Sequence, residues 1–193
     1  MGDIIVYDLE IEKTIEEVGG WGAAAKGAAG ISCAVSYSYN DGEYYIWCAD
    51  NYAGLQEQLN KADLVVGFNH MRFDNNCVHH TIGELDVKDN YDILRQVQKA
   101  CGGMHKGYKL TQICERTLGP RYAKTMSGAF APQLFKEGKM GELIHYCQRD
   151  VFLTRKIFEF ILDHGYVISA ENTMLPVAAP ESFIERNVIS MRA

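Results

Sequence analysis

Apolar and polar residues fall into short β-branched runs and longer helical patterns, and these lay out the chain's elements. Residues 4–9 begin Ile4-Ile5-Val6-Tyr7, which predicts a buried strand. Residues 31–39 alternate as a second strand. Asn40-Asp41-Gly42 is a hairpin signal, and residues 43–48 predict the returning strand. Residues 50–62 predict a helix with Leu55 and Leu59 one turn apart. Residues 63–68 (DLVVGF) read as another buried strand, with a helix starting near Phe73. Residues 91–101 predict a strand end running into a helix. Residues 110–118 predict a helix stopped by Gly119-Pro120. The longest helical pattern covers 140–164, and Gly165 ends it. The stretch from Gly19 to Gly30 is rich in Gly and Ala with little to pack except Trp21, so a loop is expected there, and another over 123–130. An early hairpin followed by alternating strands and helices predicts an α/β domain with a mixed sheet. The domain is expected to span 1–170, with 171–193, marked by Pro176 and Pro180, an irregular tail.

Length and composition fit one ordinary domain: 193 residues, 47% apolar and 23% charged. No apolar run approaches the roughly 18 residues of a spanning helix, and the first residues carry no signal-peptide pattern. A soluble, cytoplasmic protein is expected. The six cysteines (33, 48, 77, 101, 114, 147) form no C-x-x-C pair, which argues against zinc and for small buried side chains. The formal charge of −6 excludes a protein that coats nucleic acid by bulk electrostatics. It does not exclude a nuclease, because bound divalent cations reverse the sign of a carboxylate site.

The acidic residues have a pattern of their own. Asp8 and Glu10 end the first strand, two apart and therefore on one face. Asp74 follows the DLVVGF strand, and Asp150 interrupts the long helix one turn after Tyr146. An unpaired charge buried there would be costly. Four carboxylates make a hard, oxygen-rich ligand set suited to Mg²⁺ or Mn²⁺. Two such ions about 3.5–4 Å apart can serve the attacking and leaving oxygens of a phosphodiester. Asp-x-Glu and Tyr-x-x-x-Asp are weak motifs singly, since Asp41-Gly42-Glu43 and Tyr37 to Asp41 also match them in a surface turn.

Taken together and in this order, the motifs resemble the DEDD superfamily of 3′→5′ exonucleases, tyrosine branch. Asp8 and Glu10 match its Asp-x-Glu motif; Asn69, Phe73 and Asp74 match the second motif; Tyr146 and Asp150 match the third. The resemblance implies a ribonuclease H-like fold, a five-stranded mixed sheet with its first three strands antiparallel, flanked by helices. It also implies release of 5′-mononucleotides from a nucleic-acid 3′ end, with two Mg²⁺ or Mn²⁺ ions on Asp8, Glu10, Asp74 and Asp150. Either Tyr146 or His145 orients the water: Tyr146 has the i−4 spacing to Asp150, and His145 has the i−5 spacing of the family's histidine branch. Substrate contact is expected from Leu9, Asn69, Phe73, Trp21 and Lys109. Asn69 is equally a turn former, and Trp21 equally the anchor of a surface loop. Arg116, Arg121, Lys106, Lys109 and Lys124 are candidates to follow a phosphate backbone. Asp92 is expected to cap a helix rather than to bind metal. The expected partner is a free, single-stranded 3′ end, DNA ahead of RNA. A ribonuclease H-like endonuclease or resolvase, and a non-catalytic nucleic-acid-binding module, are the alternatives.

Overall fold

A computed structural model of the chain describes residues 2–103, 108–123 and 128–181. Five strands form the central sheet: β1 (Ile4–Glu10), β2 (Cys33–Ser38), β3 (Glu43–Trp47), β4 (Leu64–Gly67) and β5 (Asn90–Asp92). Their order is β3-β2-β1-β4-β5, with β1–β2 and β2–β3 antiparallel and β1–β4 and β4–β5 parallel. This is the mixed sheet expected, compatible with a ribonuclease H-like fold. The hairpin between β2 and β3 closes on Gly42, whose φ of 71° is left-handed and whose N–H donates to the carbonyl of Ser38 at 3.0 Å.

Alternation along β1 separates the two halves of the core. Val6 joins Val35 and Val66 on one face, against α4 (Ile93–Ala100), α5 (Leu110–Leu118) and α7 (Met140–His164). Ile5, Tyr7 and Leu9 face the other way, against Leu55 and Leu59 of α2 (Tyr52–Lys61) and Cys77 and Val78 of α3 (Asp74–Thr81). By the same alternation Asp8 and Glu10 point toward α7. Gly165 ends α7 in the left-handed conformation, φ 73°.

One register detail positions the site. Strand β4 pairs with β1 only from Ile4 to Val6, whereas β2 pairs with it out to Glu10. The end of β1 therefore overshoots β4, and one edge of its backbone there lacks a strand partner.

Three stretches depart from the sequence reading. The Gly/Ala segment expected to be a loop is partly helical: α1 (Trp21–Ala23) continues into a turn over Ala24–Ala28 that kinks at Lys26 and Gly27, the latter left-handed at φ 84°. Small side chains let it lie close on α3, with Ala24 and Ala29 fully buried. Residues 131–136, Ala131–Lys136, form α6, just after the expected loop, of which 124–127 lie outside the described residues. A two-stranded ribbon pairs β6 (Tyr166–Ile168), which precedes the stretch expected to be irregular, with β7 (Met174–Pro176) inside it. Among the described residues no helix is long and apolar enough to cross a membrane. The six cysteines form no disulfide with one another; four are buried, and Cys48 and Cys101 are half-buried.

Candidate metal centre and cleft

The overshooting end of β1 carries Asp8 and Glu10. The exposed backbone edge is taken up by Asp74, whose Oδ1 accepts the N–H of Leu9 at 3.2 Å. Asp74 begins α3, where the helix N-terminus favours a negative charge. It is buried, and burial pushes its carboxyl up to about 7 against the relief given by its backbone hydrogen bonds.

On the other side, α7 presents one face to Asp8 and Glu10. Tyr146, Cys147 and Asp150 are all buried on it, whereas His145 is exposed. The Tyr146 phenol is hydrogen-bonded to Asp150. Burial, then the negative charges of Asp150, Glu10 and Asp8, raise its pKa far above the ordinary tyrosine value, so it stays protonated and donates. One ligand atom from each of Asp8, Glu10 and Cys147 lies within 4.8 Å of the others, a cluster that can hold a metal ion.

Cys147 is not singled out by the sequence, where it reads as a small buried side chain. Its position between Tyr146 and Asp150 on one helix face was the available signal. Its chemistry separates it from the carboxylates. Burial, a hydrogen bond with Cys33 and the charge of Asp8 hold the thiol well above its usual pKa, and Sγ donates to the Asp8 carbonyl at 3.3 Å. A neutral thiol is a poor ligand for a hard cation. The donor set therefore fits an oxygen-seeking divalent ion through Asp8 and Glu10; Asp74 and Asp150 fall outside that cluster, Asp74 held by the Leu9 N–H and Asp150 by Tyr146.

A cleft of about 920 Å³ opens beside this centre. Leu9, Glu10, Phe73, Trp21 and Lys109 line it, together with residues 14–16, 128–129 and Pro132. Four of the five expected substrate contacts thus share one cavity. Asn69 lies elsewhere, in the turn between β4 and α3, with a left-handed φ of 68°. Its N–H donates to Asp92 at 2.9 Å, and its carbonyl accepts the N–H groups of Arg72 and Phe73, each at 3.2 Å. Asp92 also accepts from Met71 at 3.2 Å and caps α4 through the N–H of Arg95 at 3.3 Å. A buried polar chain continues behind Asp74: His70 meets Asn90 at 3.1 Å, Asn75 donates to Asn90 at 3.0 Å, and Tyr7 donates to Asn75 at 2.5 Å.

Of the basic candidates, Lys109 lines the cleft. Arg121 lies over the ring of Tyr122 at 5.0 Å and Arg116 is exposed on α5. Lys106 and Lys124 lie outside the described residues.

No protein-family model matches the sequence, and no curated protein does. Among solved structures the chain is similar in fold to a family B DNA polymerase from the hyperthermophilic archaeon Pyrobaculum calidifontis, with a TM-score of 0.64 at 15% sequence identity. The similarity covers 84% of this chain and 25% of the polymerase, so the chain spans about a quarter of that protein's length.

Proposed function

We propose that the chain is a metal-dependent 3′→5′ exonuclease of the DEDD tyrosine type, hydrolysing single-stranded 3′ ends to 5′-mononucleotides. What supports this reading is the acid around the overshooting end of β1: Asp8 and Glu10 lie within ligand distance of each other, Asp74 of α3 accepts the Leu9 N–H between them, Asp150 of α7 is hydrogen-bonded to Tyr146, and Glu10 lines an open cleft. A non-catalytic binding module has no use for such a concentration of buried acid, which is costly without cations. The fold likeness to a DNA polymerase supports a nucleic-acid ligand, and DNA ahead of RNA.

Asp8 and Glu10 would hold Mg²⁺ or Mn²⁺ with Asp74 and Asp150. Bound there, two divalent ions would supply an activated water and stabilise charge on the departing 3′ oxygen. The protein's own groups prepare that chemistry. The Leu9 N–H fixes Asp74 at the strand end. Tyr146, protonated and hydrogen-bonded to Asp150, orients water as a donor and does not act as a base. His145 is exposed on α7 and has no such partner role here. Lys109 lies on the cleft wall where a phosphate would pass.

The test is digestion of a 5′-labelled single-stranded DNA, an RNA of the same sequence and a closed circle, in Mg²⁺ or Mn²⁺. A ladder shortening stepwise from the 3′ end, an intact circle and an inert Asp8→Ala variant are expected. Cutting of the circle would favour an endonuclease, and equal activity in Asp8→Ala would refute the assignment.

A further inference from the structure

We propose that Tyr7 is a positioning residue for Asp74: through Asn75, its hydroxyl fixes the first turn of α3 on β1. This rests on, and deepens, the metal-dependent reading above. Asp74 lies outside the cluster formed by Asp8, Glu10 and Cys147, so its place beside an ion depends on what holds α3. Tyr7 precedes Asp8 on β1 but packs on the opposite face with Ile5 and Leu9, and it is fully buried. A hydroxyl buried there needs an acceptor, and a phenylalanine would fill the same place without one. The acceptor is Oδ1 of Asn75, at 2.5 Å and 68 residues away in sequence.

The contact falls on the turn that carries the carboxylate. Helix α3 starts at Asp74, Asn75 is its second residue, and the N-cap residue Phe73 makes no side-chain cap. Two bonds tie this turn to β1: the Leu9 N–H to Asp74, and the Tyr7 hydroxyl to Asn75. Residues 7 and 9 stand about 6.6 Å apart along a strand. Anchors that far apart fix the direction of the helix end as well as its distance, whereas one bond lets it pivot. The Leu9 bond, at 3.2 Å, is at the long end of the hydrogen-bond range. Asn75 is held from behind too: its N–H donates to the His70 carbonyl at 2.8 Å and its Nδ2 to Asn90 Oδ1 at 3.0 Å. Nε2 of His70 meets the same Oδ1 at 3.1 Å, and the buried His70 ring stands edge to face with Tyr7. At a site of this kind a shift of about 1 Å can cost about 100-fold in rate.

Tyr7→Phe keeps the ring and removes the hydroxyl; Asn75→Ala removes the acceptor. In the ¹⁵N-labelled, ion-free chain, either change should move the Leu9 amide proton toward the position it takes in Asp74→Ala, where its acceptor is gone. The Val65 amide, which donates to the Asp89 carbonyl at 3.0 Å, should keep its position, since a folded chain that is merely less stable keeps its shifts. Mn²⁺ affinity by calorimetry should fall about tenfold in each variant, and kcat about tenfold with KM for DNA nearly unchanged. The double variant should match Asn75→Ala, because both substitutions break the same bond. An unmoved Leu9 amide, equal movement at Val65, or wild-type Mn²⁺ affinity in both variants would each overturn the proposal. A wild type that binds no Mn²⁺ and digests no DNA would remove the nuclease reading, while the amide, read without ions, still decides whether Tyr7 positions Asp74. Digestion at the wild-type rate by both variants leaves the nuclease reading standing and removes this one.

Discussion

The N–H of Leu9 donates to the carboxylate of Asp74 at 3.2 Å, joining residues 65 apart in sequence at the end of the first strand. The bond exists because β4 stops short of β1 on that side. It ties the α3 carboxylate to the backbone between Asp8 and Glu10 and holds it buried, where charge is disfavoured.

Asp74 should make the stability of the ion-free chain depend on pH. Its folded pKa of about 7 exceeds the ordinary value of 3.8. Below about pH 4 both folded and unfolded chains hold the proton, and nothing differs. As pH rises toward 7 the unfolded chain releases it while the folded chain keeps it, so this group's contribution to stability falls, then levels above 7. Asp74→Asn keeps an acceptor for Leu9 and removes the titration. Urea unfolding without metal should find the variant more stable than wild type by on the order of 2–4 kcal/mol at pH 8 and by much less at pH 5. A gap independent of pH would contradict this. Because ion binding needs the carboxylate, Mg²⁺ affinity of the wild type should rise over the same window.

Tyr146 and His145 make opposite predictions. Tyr146→Phe removes the hydrogen bond to Asp150 and should lower kcat about 100-fold, within the usual range for a positioned proton-transfer or orienting group, with DNA affinity little changed. His145→Ala should stay within about threefold, since an exposed side chain away from the site contributes little. Single-turnover kinetics of both variants decide the matter; the reverse ranking would assign the water to His145.

Cys147 should behave as a thiol that packs and donates, and not as a ligand. Cys147→Ser, which still donates to the Asp8 carbonyl, should keep activity within about threefold and leave the Mg²⁺ requirement unchanged. Cys147→Ala should cost about 1–2 kcal/mol in stability by calorimetry. A switch of metal preference or loss of ion binding in either variant would make the sulfur a ligand.

Asp92 supports the site from behind. It accepts the N–H groups of Asn69, Met71 and Arg95. Asp92→Ala should lower stability by about 3 kcal/mol, because several buried donors lose their acceptor at once. Thermal unfolding with and without Mg²⁺ should record that loss in both conditions, whereas a metal ligand would matter only with the ion present.

Much of this was legible in the sequence because the decisive elements carry strong patterns. The β-branched start of β1, the Asn-Asp-Gly hairpin and the long apolar stripe of α7 each leave one reading, and α5 and α7 run between the residues expected. The spacing of Asp8 with Glu10 and of Tyr146 with Asp150 put each pair on one face before any coordinates. The Gly/Ala insert was illegible because alanine gives no amphipathic contrast; its helix is stabilised by tight contact with α3, which only the tertiary structure supplies. Strands of three residues, as in β6 and β7, are too short to leave a periodic signal. Asn69 fits a motif and a left-handed turn equally well in sequence, and the structure places its backbone in the turn on Asp92.

The central claim is that the four carboxylates form one cation site. Calorimetric titration of Mn²⁺ into the wild type, Asp8→Ala, Asp74→Ala and Asp150→Ala tests it most directly. Two ions per wild-type chain are expected, binding lost in Asp8→Ala, and affinity at least about tenfold weaker in each of the other two. If Asp74→Ala and Asp150→Ala bind Mn²⁺ as the wild type does, the cations belong to the β1 pair alone and the shared site does not exist.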